Sequence, residues 1–152
     1  MKERKMNNKG FSLVELIIVI AIMAILIVVL APQYLKFVER SRQSTDKQNV
    51  DEIIRAIEIY AADPLASDAM DTDATTGTVI TFHYKSKMTI DSGANADEIY
   101  EALKSAGIIT GADFTTNTTE LKSNKWDGVT ITIKVDDAGN VIATASDSTI
   151  LQ

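Results

Sequence analysis

Residues 10–32 read GFSLVELIIVIAIMAILIVVLAP, and this stretch decides how the rest of the chain is organised. From Leu16 to Ala31 no residue is polar, and upstream only a serine and Glu15 interrupt the apolar run that begins at Phe11. At ~1.5 Å per residue, a helix over these positions is roughly 30 Å long, which matches the hydrocarbon core of a bilayer. Because the segment is apolar on every side, we expect it to lie in lipid or within a bundle of similar helices.

Glu15 is the one charged residue in this apolar stretch, and its presence there needs an explanation. A carboxylate near the end of a membrane helix costs on the order of a few kcal/mol unless it reaches the headgroups, stays protonated or meets a cation. Glu15 is the fifth residue counting from Phe11, and Phe11 follows Gly10 at the end of a short basic segment. A cut between Gly10 and Phe11 would create an α-amine four residues from the carboxylate. The spacing therefore favours a cleaved leader, with the new amine of the same or a neighbouring subunit as the partner of Glu15.

Residues 9–16, KGFSLVEL, followed by the unbroken apolar run, resemble the processing site of type IV prepilins, the precursors of bacterial pilus subunits. The resemblance covers residues 1–62, and the chain looks most like the major pilins of clostridia. It implies that a membrane aspartic peptidase, the prepilin peptidase, cuts between Gly10 and Phe11 and that Phe11 is then N-methylated. It also implies that the mature subunit waits in the cytoplasmic membrane until the pilus assembly machinery draws it into a helical homopolymer. Glu15 would then face the Phe11 amine of a neighbouring subunit.

Charge and composition restrict the function classes further. The net charge is −6, and because residues 1–10 carry +3, the side chains of the remainder carry −9. An acidic exported part disfavours nucleic-acid binding, so no nucleic-acid partner is predicted. The basic leader predicts a cytoplasmic N-terminus and an outward-facing C-terminal part. The chain has no cysteine, so it can form neither a disulfide nor a thiolate zinc site. The absence of a disulfide fits an organism without an oxidising periplasm and favours a Gram-positive source.

The sequence predicts four segments: a leader at residues 1–10, an apolar helix at 11–32, its amphipathic continuation at 33–62, and a head at 63–152. Pro32 lacks an amide proton, so we expect a helix kink there, without the helix necessarily ending. In the continuation, apolar residues recur at helical spacing, and the stripe from Val50 to Ala61 indicates a face on which a small sheet packs. The recurring apolar residues are Tyr34, Phe37, Val38, Val50, Ile53, Ile54, Ile57, Tyr60 and Ala61.

The head is predicted to contain antiparallel strands, which makes the fold class α+β, of the type IV pilin kind. Residues 129–135 and 141–145 alternate between apolar and polar types around a turn at 136–140 and predict a hairpin. Residues 79–84 predict a further strand with 88–90 as its partner, residues 65–78 are predicted to be an exposed loop, and residues 110–125 a second, irregular stretch. Asp97 is expected to cap a helix over 98–106 that Gly107 ends.

No catalytic, cofactor or metal site is predicted. His83 is the single histidine, and its place in an alternating strand favours a structural or solvated role. No glycine-rich phosphate loop or nucleophile turn occurs. Two groups of aspartates could offer oxygen ligands to calcium: Asp68, Asp71 and Asp73, and Asp136 with Asp137. Neither group has the spacing of a calcium loop, and solvated turns explain both better.

With that resemblance, the chain is interpreted as a structural subunit, a major pilin, that polymerises into type IV pili for adhesion, motility or biofilm formation. Its predicted location is the cytoplasmic membrane as a precursor and the cell surface as a fibre. The alternatives are a pseudopilin of a type II secretion or competence system, a minor or tip pilin acting as adhesin, a membrane-tethered enzyme, and an uncleaved signal anchor.

Overall fold

The computed structural model describes residues 11–67, 70–72, 77–85, 88–91, 93–109, 121–136 and 138–148. In these parts the fold is α+β, which confirms the predicted class. The elements follow one another as α1 (Leu13–Ala61), α2 (Pro64–Ser67), β1 (Thr78–Thr81), β2 (Thr89–Ile90), α3 (Ala96–Ser105), a 3₁₀ turn (Asn124–Trp126), β3 (Thr130–Val135) and β4 (Val141–Ala145).

The chain divides into two compact units, residues 1–39 and residues 40–152. Within the described residues, the first unit consists of the beginning of α1, and the second contains the end of α1 together with every other helix and strand. The segment boundaries inferred from the sequence, at residues 10, 32 and 62, stay predictions.

The end of α1 supplies one wall of the core of the second unit. Val50, Ile53, Ile57 and Ala61 are 0%, 6%, 0% and 3% exposed, which confirms the predicted stripe. Their spacing of three and four residues places them on one face of the helix. The helix ends at Ala61 and does not continue through Asp63, because a residue directly before a proline, here Pro64, is disfavoured in the helical region.

The sheet has the strand order β2-β1-β3-β4, and every pair is antiparallel. The β3–β4 hairpin is confirmed, with Val135 opposite Val141. Its turn is held by Asp136, whose Oδ1 accepts the backbone N–H groups of Ala138 and Asn140 at 2.9 and 2.8 Å. The predicted pairing of residues 88–90 with the first strand is also confirmed, although both strands are shorter than predicted.

One hydrophobic cluster joins α1, α3 and the sheet in the second unit. The rings of Phe82 and Trp126 meet edge to face with centroids 6.0 Å apart, close to the 3₁₀ turn. This geometry suits the quadrupoles of two aromatic rings. The largest fully buried side chains of this cluster are Val50, Ile57, Ile80, Ile99, Leu103, Ile109, Ile131 and Ile133.

The prediction of an exposed loop over residues 65–78 is wrong at its start, which lies in a helix, and at its last residue, Thr78, which begins β1. Pro64 starts the short helix α2, and Asp63 caps it by accepting the backbone N–H of Leu65 through Oδ1 at 3.0 Å. Proline is well suited to the first helical position because its fixed φ is already helical and its missing N–H would have no partner there. Ala66 and Met70 are buried, so this part of the chain contributes to the core.

Helix α3 begins two residues earlier than predicted. Asn95 stands at the N-cap, and Asp97 lies inside the first turn. The Asn95 side chain makes no cap bond; it instead accepts the N–H of Asp71 at 2.7 Å and donates to the carbonyl of Asp71 at 3.1 Å. The stop at Gly107 agrees with its positive φ of 75°, which glycine adopts without strain. Most of the predicted loop at 110–125 lies outside the described residues.

Candidate functional site

The start of α1 is organised by Glu15. Its Oε2 accepts the backbone N–H of Ser12 at 2.9 Å, and the N–H of Leu16 bonds to the carbonyl of Ser12 at 3.2 Å. With Leu13 as the first helical residue, Ser12 is the N-cap and Glu15 the third position, which is one half of a capping box. The sequence reasoning missed this local role, although the Ser-x-x-Glu spacing is its ordinary signal.

The apolar side chains that follow have no cover from their own chain. From Phe11 to Leu30 every large apolar side chain is between 48% and 86% exposed. Within the described residues, α1 is one helix that is long and apolar enough to cross a membrane, and its most apolar stretch is not buried against the rest of the chain. Burying this surface requires a lipid environment or other protein chains.

Of the predicted processing and kink residues, the structure describes Phe11 and Pro32 but not Gly10. Gly10 lies outside the described residues, and Phe11 is the first residue described, with 86% of its side chain exposed. Pro32 lies inside α1, and helical backbone continues on both sides of it. These positions do not test the cleavage after Gly10, the methylation of Phe11 or the kink at Pro32, so all three stay predictions.

A second carboxylate, which the sequence reasoning did not single out, anchors the head to α1. Asp46 is fully buried, and its Oδ1 and Oδ2 accept the backbone N–H of Lys122 at 2.9 and 3.0 Å. Oδ2 also accepts the N–H of Ser123 at 2.7 Å. The Ser123 side chain, itself fully buried, accepts the N–H of Lys125 and caps the 3₁₀ turn. A carboxylate therefore fixes a segment more than seventy residues away in the chain without any disulfide.

The aspartates and the histidine weighed as site candidates belong to the head. Among the residues that the structure describes, no group of three or more acidic or histidine side chains could hold a metal. Asp71 is exposed, and Asp136 uses its carboxylate to hold its own turn, where the side-chain amide of Asn140 also donates to Oδ2 at 2.9 Å. His83 is half-buried beside the end of β1. Asp68, Asp73 and Asp137 lie outside the described residues.

Comparison with known proteins agrees with the features at the start of α1. Residues 5–31 match the prokaryotic N-terminal methylation motif. The chain is 40% identical over 69 residues to the prepilin peptidase-dependent protein A of Clostridium perfringens, which covers 45% of this chain and 49% of that protein. It is 48% identical over 44 residues to the type IV major pilin PilA of Myxococcus xanthus, which covers 29% of this chain and 20% of that protein. The chain thus spans half or less of these two relatives.

A third relative extends the similarity through the head. The chain is 31% identical over 137 residues to the fimbrial protein of Moraxella nonliquefaciens, and the match covers 89% of this chain and 83% of that protein. No solved structure matches the chain at a significant level. The methylation motif, the long apolar helix with its α+β head, and a relative aligned over nearly its whole length lead to one conclusion: the chain belongs to the type IV pilin family.

Proposed function

We propose that this chain is the main structural subunit of a type IV pilus. The carrying observation is the similarity to a fimbrial protein over 137 residues, because it includes the head as well as the common N-terminal motif. The proposed role is structural rather than catalytic. The fibre is expected to serve adhesion, motility or biofilm formation at the cell surface.

The exposed apolar part of α1 gives this proposal its physical basis. A helix whose apolar side chains are uncovered on all sides is stable in lipid, and it is equally well served by a bundle of identical helices. Moving the subunit from membrane to fibre therefore exchanges one apolar environment for another. The proposed sequence is insertion of the precursor in the cytoplasmic membrane, processing by the prepilin peptidase, and polymerisation by the assembly machinery.

Glu15 is the proposed determinant of assembly. In a single chain its carboxylate accepts one backbone N–H at the helix start. An α-amine at Phe11 of an adjacent subunit would add a full positive charge to that carboxylate in a water-poor environment, where such a pair requires good geometry. We infer that this requirement selects correctly placed subunits.

The processing step is tested by mass spectrometry of surface fibres sheared from the source organism. We expect the intact chain to begin at N-methylated Phe11 and to be the most abundant protein in the fibres. A chain that begins at Met1 and is found only in the membrane fraction would contradict both the processing and the fibre role.

The assembly step is tested with two substitutions at Glu15. Glu15→Val removes both the charge and the acceptor for Ser12, whereas Glu15→Gln keeps an acceptor oxygen and removes the charge. We expect both variants to remain in the membrane and to give few or no fibres in immunoblots of sheared material. Wild-type fibre yield from Glu15→Gln would show that the local cap is sufficient and would refute the intersubunit charge pair.

A further inference from the structure

A groove in the second unit leaves apolar surface uncovered where α1 and α3 end. It has a volume of about 410 Å³ and is lined by Ala56, Ile59, Tyr60, Asp63, Ser105 and Ala106. Ile59 is 68% exposed there, although its neighbour in the helix Ile57 is fully buried. Ile59 is not isolated, because it lines the groove together with Ala56, Tyr60 and Ala106, and contiguous apolar surface of this kind is one that another chain can cover.

The charge around this groove favours a cation. The C-terminal end of a helix carries a partial negative charge, and α1 has no basic residue in its last turn to offset it. Asp63 adds a carboxylate that is exposed, and one of its oxygens caps α2. The basic residue in the last turn of α3, Lys104, pairs with Glu101 at 3.2 Å and lies over the Tyr100 ring, so its ammonium is engaged beside its own helix. The groove therefore suits an apolar segment that carries a positive charge.

Residues 34–37 of the first unit have this composition. They read Tyr34-Leu35-Lys36-Phe37, and the three apolar side chains are 66%, 66% and 71% exposed in chain order. Tyr34 and Phe37 are three residues apart and lie on one side of the helix. Lys36, two residues after Tyr34 and one before Phe37, starts from a different side of the helix, and its long apolar stem lets the ammonium reach around to a carboxylate at the edge of the groove.

We propose that the groove of one subunit receives residues 34–37 of a second copy of this chain, with Tyr34 and Phe37 against Ile59 and Lys36 near Asp63. The inference rests on the proposed polymerisation and names one of its contacts. Because the two surfaces are different parts of the chain, the contact is heterologous, and a pair of subunits keeps one free groove at one end and one free segment at the other. Repetition of such a contact produces an open helical filament rather than a closed dimer.

Cysteine cross-linking tests this contact directly, because the natural chain contains no cysteine. In full-length subunits carrying both Phe37→Cys and Ile59→Cys, oxidation of sheared fibres is expected to give a ladder of dimers, trimers and longer species on non-reducing gels. Each single variant is expected to stay monomeric. Dimers from a single variant would mean that like surfaces meet, and they would overturn the heterologous contact.

The matched control pairs Phe37→Cys with Ile142→Cys, a half-exposed position on β4 outside the groove, and is expected to give no ladder. If the double variant does not assemble, fibres co-assembled from Phe37→Cys and Ile59→Cys subunits should give dimers on oxidation. Fibres in which both cysteines react freely with a maleimide and do not cross-link would overturn this inference and leave the proposed function intact. Absence of the wild-type chain from all surface fibres would overturn the proposed function itself.

Discussion

The two parts of α1 use the same kinds of residue in opposite ways. In the first unit, isoleucine, leucine and valine side chains between Phe11 and Leu30 are about half exposed or more. In the second unit, Val50, Ile53 and Ile57 on the same helix are 6% exposed or less, because the sheet and α3 pack on them. The comparison shows that burial is decided by the pattern of apolar residues around the helix. An all-round apolar helix depends on other molecules, whereas a one-sided stripe is satisfied by its own chain.

The largest effect is expected from a truncation that separates these two parts of α1. A variant that begins at Arg40 loses the exposed apolar surface and retains the buried cluster of the second unit. We expect it to be monomeric in the absence of detergent and to unfold cooperatively, since a single core of this size usually does. Gel filtration and thermal unfolding followed by circular dichroism would measure this.

The matched comparison is the processed chain from Phe11 onward. We expect that chain to require detergent or lipid, because its apolar residues are uncovered on all sides. Aggregation of the shorter variant, or a gradual unfolding curve, would mean that the head depends on the apolar part of α1 for its stability.

The elements with strong local periodicity could be predicted from the sequence. The stripe from Val50 to Ala61 and the hairpin of residues 129–145 both repeat one pattern over several residues, and both are confirmed. Helix α2 could not be predicted in this way because it is four residues long and has no periodicity to detect. The predicted cap of α3 is misplaced because Asn95 is held by contacts with Asp71, which lies 24 residues away.

The candidate site divides in the same way. The segment from Gly10 to Glu15 is a local motif, so its proposed role follows from the order of neighbouring residues alone. Asp46 could not be found, since its partners Lys122 and Ser123 are backbone groups of a distant segment, and no side-chain pattern identifies a backbone donor. An acidic residue in a polar part of a helix is usually solvated, and the structure makes this one an anchor.

The second-largest effect is expected from a substitution that tests whether Asp46 holds the head to α1. Asp46→Ala leaves two backbone donors, at Lys122 and Ser123, without their acceptor. We expect the free energy of unfolding to fall by about 3 kcal/mol, because each unsatisfied donor costs roughly 1–3 kcal/mol. Urea unfolding of the variant that begins at Arg40 would give this value without interference from the membrane helix.

Asp51→Ala is the matched control, since this aspartate lies on the same helix and is exposed. Its effect should stay within about 0.5 kcal/mol, as for most surface substitutions. An equal loss of stability in both variants would assign the effect to helix charge, and an unchanged Asp46→Ala variant would refute the anchor.

The smallest expected effect concerns the carboxylate of Asp136, which holds the turn of the β3–β4 hairpin. The side-chain amide of Asn140, followed by the backbone N–H groups of Asn140 and Ala138, lowers the pKa of Asp136 below its ordinary value of 3.8. Because the folded-state pKa is depressed, the stabilisation is complete above the unfolded pKa and is lost as the pH falls through the folded pKa. An NMR titration should place the Asp136 midpoint below 3.8, and Asn140→Ala should raise it toward that value because the strongest donor is removed. Ser146→Ala, at the other end of β4, should leave the midpoint unchanged; a midpoint that responds equally to both substitutions would show that the turn bonds do not control this carboxylate.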